Sequence, residues 1–210
     1  MKIGLLLIIC LGLNSLVKAQ DSNLYPTRSL RASIGLARHG TGDVEGIVQG
    51  FEFEKYLRKR LSWSIEAGSS IHNGEYPQTY VDQNQKEHDI SYRYTTAGMQ
   101  VAGIVGYSFV RAQHINVGVK GGVIFRYQSS SMPNSLATYY PPGTGLPFPV
   151  MVVENATPQK TFSPGGLIRL FLNYCPNSKY SFGLHTSFQG DTNGDVIFTK
   201  IAFSVGRTFK

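Results

Sequence analysis

His185 and Ser187 stand two residues apart, and in an extended chain that spacing puts both side chains on one face, a base beside a nucleophile. The arrangement suits acyl transfer, with the imidazole taking the serine proton as the hydroxyl attacks a carbonyl. His39, His72, His88 and His114 lie far apart and lack metal-ligand spacing. Gly40-Thr41-Gly42 is too short to cradle a phosphate, and Asn155-Ala156-Thr157 is a glycosylation acceptor only in a eukaryotic secretory route. No catalytic group, cofactor or metal is expected beyond the His-x-Ser pair.

A second set of residues is ionic. Glu52, Glu54 and Glu66 fall close together, and Lys120, Arg126, Arg169, His185 and Lys200 follow later in the chain. Their chemistry depends on the elements that carry them. In LSWSIEAGSSI, residues 61–71, every second residue from Leu61 through Trp63 and Ile65 to Ile71 is apolar or small, and Ser62, Ser64, Glu66, Gly68 and Ser70 stand between them. The same alternation recurs in 28–39, 46–57, 92–109, 114–127, 161–174, 180–189 and 196–209. Leu167 and Phe171 blur it in 161–174. In 196–209, Ile197, Ile201, Phe203, Val205 and Phe209 oppose Lys200, Ala202, Ser204 and Gly206. A period of two throughout, with no sustained period of 3.6, predicts an all-β chain of eight strands.

The connections decide between a soluble sandwich and a membrane barrel. Short links at 57–60, 110–113 and 175–179 alternate with longer ones, up to about thirty residues around 128–160. Short turns at one end and long loops at the other describe an antiparallel up-and-down transmembrane β-barrel, with its apolar row toward lipid and its polar row inward. The polar row is rich in Ser and Gly, as the narrow lumen of eight strands requires. Glu52, Glu54, Glu66, Lys120, Arg126, Arg169, His185 and Lys200 are then expected to form a buried network, with Glu52 or Glu66 reaching Arg169 or Lys120. Such a plug leaves no open diffusion path. Phe53, Trp63, Tyr107, Phe109, Tyr174, Tyr180, Phe182 and Phe209 all fall near the short-turn end, where they are expected to form an interfacial girdle.

Residues 1–19 read as a signal peptide cleaved after Ala19: Lys2, an apolar run from Ile3 to Leu13, then Val17-Lys18-Ala19, which sets Val17 and Ala19 at the positions signal peptidase reads. Cys10 follows Ile9 inside the apolar run, so it is not expected to be a lipid-anchor cysteine. Removing 19 residues leaves 191 of the 210, and losing Lys2 and Lys18 takes the net charge from +7 to +5. Residues 20–27 are then a short N-terminal segment and 28–210 the barrel domain. Cys175 alone remains, so no internal disulfide is expected. The basic residues are scattered and match no nucleic-acid-binding motif, so no nucleic-acid partner is expected. A mean hydropathy of −0.13 excludes a bundle of membrane helices but not a barrel.

With these features the chain resembles the small eight-stranded outer-membrane β-barrels, the OmpA/OmpX-like group and the broader outer membrane protein beta-barrel domain family with its PorT-like members. The resemblance implies the outer membrane of a Gram-negative bacterium, with the N-terminus in the periplasm and the long loops outside. Outer-membrane lipid and lipopolysaccharide become expected contacts. Gly206 and Phe209 in the terminal SVGRTFK resemble the signal read by the barrel assembly machinery, except that Lys210 follows the aromatic. His185-Thr186-Ser187 is similar to the His-x-Ser of lipid A deacylase barrels, although Phe188-Gln189 stands where that family has Asn-Ala, and the alternation turns both groups inward.

The expected function is therefore structural or adhesive, carried by the long loops, where Tyr139, Tyr140 and Phe148 could meet an extracellular protein or glycan. Met151, Val152 and Val153 are expected to extend a strand above the membrane and pair near Tyr80 and Val81. The alternatives are a lipid A deacylase-like enzyme, an accessory of a secretion apparatus, and a secreted soluble barrel with a ligand cavity. His185→Ala should leave the lipid A acylation pattern seen by mass spectrometry unchanged; an altered pattern would restore the enzyme.

Overall fold

The structure, a computed structural model, describes residues 26–40, 44–82, 84–133, 135–154, 159–177 and 179–209. The expected signal peptide, Cys10, residues 20–25, the Thr41-Gly42 part of the glycine motif, the Asn155-Ala156-Thr157 acceptor and Lys210 lie outside these residues.

Alternation translates directly into strands. In chain order they are β1 (Arg28–His39), β2 (Val44–Tyr56), β3 (Leu61–Tyr76), β4 (Thr79–Val81), β5 (Glu87–Asp89) and β6 (Tyr92–Arg111). There follow β7 (Ile115–Ser130), β8 (Ser135–Tyr139), the single helical turn α1 (Pro141–Thr144), β9 (Val150–Glu154), β10 (Gln159–Tyr174), β11 (Tyr180–Asp191) and β12 (Val196–Phe209). Eight of the strands close in the order β1-β12-β11-β10-β7-β6-β3-β2, all neighbours antiparallel. Closure leaves no edge to template another chain. The seam between first and last strand runs from Arg28 opposite Phe209 to His39 opposite Ile197.

The sides of the sheet are inverted relative to a water-soluble protein. Met99 is 70% exposed on the outer wall while Arg126 is 1% exposed inside. Leu30, Ile34, Phe51, Val101, Ile168 and Phe203 face outward, and Glu52, Glu66, Lys120 and Arg169 face the lumen. A continuous apolar outer wall is what acyl chains solvate and water does not. No described helix is long and apolar enough to cross a membrane.

Two expectations about side-chain direction change. Lys200 lies outside, where its ammonium reaches exposed Glu45 at 2.5 Å, and Ile197 lies inside, 1% exposed. The cause is a β-bulge. Leu36 pairs with Ile201 but Ala37 with Thr199, so Lys200 is an extra residue and the parity of β12 inverts across it. Leu167 and Phe171, which disturb the alternation in β10, are inward and buried; Leu167 packs with Ala102, Ile104 and Ile124 as a small apolar cluster inside the barrel.

Three short turns, 57–60, 112–114 and 175–179, and both barrel ends lie at one rim; at the other lie two short turns, 40–43 and 192–195, and the two long connections, 77–91 and 131–158. Both long connections fold into hairpins of their own, β4–β5 and β8–β9. Met151 to Val153 therefore pair with Thr138, Ala137 and Leu136, and not with the segment near Tyr80. The register is settled locally, because a hairpin closes a shorter loop than pairing between two separate connections would. Side chains still join the hairpins. The Gln78 amide donates to Thr138 Oγ1 at 2.9 Å, and the rings of Tyr80 and Tyr140 lie 6.0 Å apart. At the β4–β5 turn, His88 bonds Asp82 at 3.0 Å; with the amides of Lys86 and Asn84 it holds that carboxyl below its ordinary range.

The barrel ladder between β7 and β10 ends at Ser130 opposite Gln159, below the β8–β9 hairpin. Replacing residues 131–158 by a short turn should therefore preserve the heat-dependent gel shift of a folded barrel; losing the shift would make that connection part of the barrel's fold.

Candidate functional site

The lumen is built by strand register. Glu52 and Glu66 lie directly opposite on β2 and β3, a like-charged pair that would repel unless cations reached it. The cations come from two directions. Lys120 and Arg169 face each other across β7 and β10, and Arg31 sits beside Glu52 across β1 and β2. The Arg169 guanidinium forks onto Glu66, donating at 2.5 and 2.9 Å. Lys120 donates to Glu52 at 2.5 Å and stands 3.0 Å from Glu54, while Arg31 bonds both Glu54 and, at 3.2 Å, Glu52. Arg169 Nη1 lies 3.9 Å from Glu52, joining the two halves of the network. Ser62 adds a hydroxyl donor to Glu54 at 2.8 Å.

Three carboxylates thus meet three cations, all buried. This satisfies the requirement that charge removed from water be paired and hydrogen-bonded. Small residues supply the space. A Cβ on Gly206 would collide with the Arg31 side chain, and one on Gly106 would meet the Lys120 Cγ at 3.2 Å. Lys120 also passes over the Phe171 ring at 5.2 Å, so the inward aromatic serves the ammonium.

The eight residues expected to share one network are distributed more widely. Glu52, Glu54, Glu66, Lys120 and Arg169 come together. Arg126 belongs to a layer nearer the long loops, where it bonds Asp191 at 3.1 Å and Gln189 at 3.2 Å. His185 lines the small cavities beside Arg169, and Lys200 is outside. Arg31 and Asp191 are absent from the expected set. Arg31 stood on the polar row of its segment and carried that signal; Asp191 sits where β11 runs into its loop, and alternation gives no information there.

His185 and Ser187 both face the lumen. Ser187 is buried toward the lumen and its hydroxyl donates to Thr199 Oγ1 at 3.0 Å, so the nucleophile's proton is committed elsewhere. Cavities along the lumen are about the size of one water: ≈ 20 Å³ beside Glu66 and His185, ≈ 10 Å³ between Lys120 and Asn173, and ≈ 10 Å³ between Glu54 and buried Cys175.

A larger cavity of ≈ 440 Å³ opens at the long-loop rim, walled by His39, Tyr76, Tyr94, Gln128, Asn193 and Asp195. Its floor is tied together: Gln128 bonds His39 at 3.0 Å and donates to Asp195 at 3.0 Å. Tyr139, Tyr140 and Phe148 are exposed on the β7–β10 connection, at the same rim. At the opposite rim Phe53, Trp63, Tyr107, Phe109, Tyr174, Tyr180, Phe182 and Phe209 point outward or lie half-buried on the outer wall. Phe53 and Trp63 make an edge contact at 5.9 Å, as do Tyr107 and Phe109 at 5.7 Å.

No protein-family model and no curated relative matches the chain. Among solved structures it is similar to Neisserial surface protein A (TM-score 0.54, 10% identity, covering 87% of this chain and 97% of that one). It is also similar to Ail, the attachment invasion locus protein of Yersinia pestis (0.51, 7%, 88% and 99%). A third is the N-terminal β-barrel domain of Pseudomonas aeruginosa OprF (0.50, 12%, 88% and 99%). At these identities the likeness is one of fold.

Arg169→Ala strands Glu66 in the lumen and should lower the unfolding free energy in bilayers by about 3–5 kcal/mol. Replacing both by apolar residues, Arg169→Met with Glu66→Leu, should recover much of that loss, and Lys200→Ala should unfold like wild type in urea titrations. Equal losses for Arg169 and Lys200 would contradict the register.

Proposed function

We propose that this protein is an outer-membrane β-barrel with a structural and adhesive role, its sealed body anchoring a loop crown that binds an extracellular protein or glycan. The observation that carries the reading is the contrast between the two ends of the lumen: a charge-balanced plug whose described holes are water-sized, and a ≈ 440 Å³ cavity at the long-loop rim, where exposed aromatics also stand. A plugged barrel does not conduct solutes, and long ordered connections are where a rigid scaffold carries binding residues. Tyr139, Tyr140 and Phe148 offer large apolar area with little entropy to lose, as contact residues should. The attachment role named for Ail and the surface position named for the Neisserial protein are in keeping with this reading.

The same proposal puts the short turns in the periplasm and the hairpins outside, with lipopolysaccharide around the upper wall. It takes residues 1–19 as the export signal and the Gly206 to Phe209 end of β12 as the segment handled by the barrel assembly machinery. The outward aromatics at the short-turn rim are its interfacial girdle. A lipid A deacylase is disfavoured by the committed Ser187 hydroxyl and by the inward direction of both groups.

The test is paired. In planar bilayers the purified barrel should show no stable conductance. In lipid discs it should bind members of a panel of glycans and extracellular-matrix proteins, and the triple change of Tyr139, Tyr140 and Phe148 to Ala should reduce that binding at least tenfold without altering the heat shift. Steady channel openings, or a folded barrel that binds nothing on the panel, would refute the reading.

A further inference from the structure

The charges of this chain are sorted by height. Every described carboxylate either belongs to the lumen network or stands toward the long-loop rim, whereas Arg28, Lys55, Arg58, Lys59, Lys179 and Arg207 all stand at the short-turn rim. Half-buried Arg111 at that rim is used internally, donating to the carbonyls of Lys59 and Pro26.

Three of the rim cations are placed differently from the rest. Arg28, Lys55 and Arg207 lie within the barrel ladder on the outer face, across the adjacent strands β2, β1 and β12. Register sets Arg28 directly opposite Lys55 on one side and opposite Phe209 on the other; Arg207 pairs with Leu30 and Tyr180, and Lys55 with Trp63. The Arg207 guanidinium lies over the Phe209 ring at 5.6 Å. Like charges directly opposite on neighbouring strands destabilise a sheet. Among the described residues no carboxylate relieves them: Glu52 and Glu54 on the same strand as Lys55 face the lumen and are taken by Arg31 and Lys120. A counter-anion must therefore come from outside the described residues.

We propose that the outer wall formed by β2, β1 and β12 at the short-turn rim is a binding site for the phosphodiester headgroup of an anionic phospholipid in the adjoining leaflet. Depth argues for a lipid over a soluble polyanion. Arg28, Lys55 and Arg207 sit among Trp63, Tyr180 and Phe209, at the level where headgroup meets hydrocarbon, and the wall directly above them, Leu30, Phe53 and Val205, is apolar and exposed for acyl chains. Arg28 and Arg207 present planar donor forks suited to phosphate oxygens, and Lys55 adds a point charge. The turn cations Arg58 and Lys59 lie off this wall and are not part of the site.

The proposal rests on the barrel standing in a bilayer, so insertion is scored separately by the heat shift. Wild type is reconstituted in discs of equal phosphatidylethanolamine and phosphatidylglycerol, and the lipids that stay bound are measured by native mass spectrometry. Phosphatidylglycerol should be retained preferentially. Changing Arg28, Lys55 and Arg207 together to Gln should reduce that preference at least about tenfold. The single variant Lys55→Gln, should the triple not fold, should weaken it several-fold, and Arg58→Gln with Lys59→Gln should leave it intact. An inserted, heat-shifted wild type that retains the two lipids equally would overturn the headgroup site alone. So would a preference that survives the wall changes, follows the turn residues, or is abolished by millimolar inorganic phosphate.

Discussion

Burying three carboxylates inside a closed sheet is the constraint to which the rest of this structure answers. Each would be costly alone in a medium of low polarity, and each finds a cation because the strands are in one particular register. A slip of one residue on β2 would turn Glu52 and Glu54 toward the outer wall and Phe51 and Phe53 into the lumen. The network therefore selects the strand alignment as well as stabilising it, and the apolar outer wall selects the same alignment from the other side.

Geometry explains the composition. Arginine and lysine are long, and a lumen of eight strands has no room for them unless the residues facing them are small. Gly206 yields to Arg31 and Gly106 to Lys120, while Ser62 and Ser187 tie hydroxyls to neighbouring polar groups. Nearer the long loops the pattern changes, and Arg126 turns to Asp191, the last residue of β11. The charged plug is made of ladder residues alone, whereas the mouth adds Asn193 and Asp195 of the β11–β12 turn to ladder residues such as His39, Tyr76, Tyr94 and Gln128.

Most of the barrel was legible in the sequence because a period of two has one physical meaning and because both long connections fall at one end while the other end has short turns alone. The acids on β2 and β3 and the bases on β7 and β10 could be set on opposing walls for the same reason. Alternation failed at Lys200, where a bulge changes the parity within a strand and leaves no mark in composition. It also gave no guide to Met151 through Val153, since a β-rich stretch does not name its partner and the nearer strand of its own hairpin prevailed. Arg31 is legible from its place on the polar row of β1; Asp191 is not, since alternation does not say how far β11 extends toward its turn.

The isolation of the water-sized holes has a consequence for the cell that carries this barrel. If the barrel stands in an outer membrane as proposed, a lumen whose described holes beside Lys120 and Arg169 each hold about one water would decouple the number of copies from the permeability of the envelope. A coat of many such molecules could crowd the surface without admitting detergents or antibiotics, an abundance that an open pore of the same diameter would not tolerate.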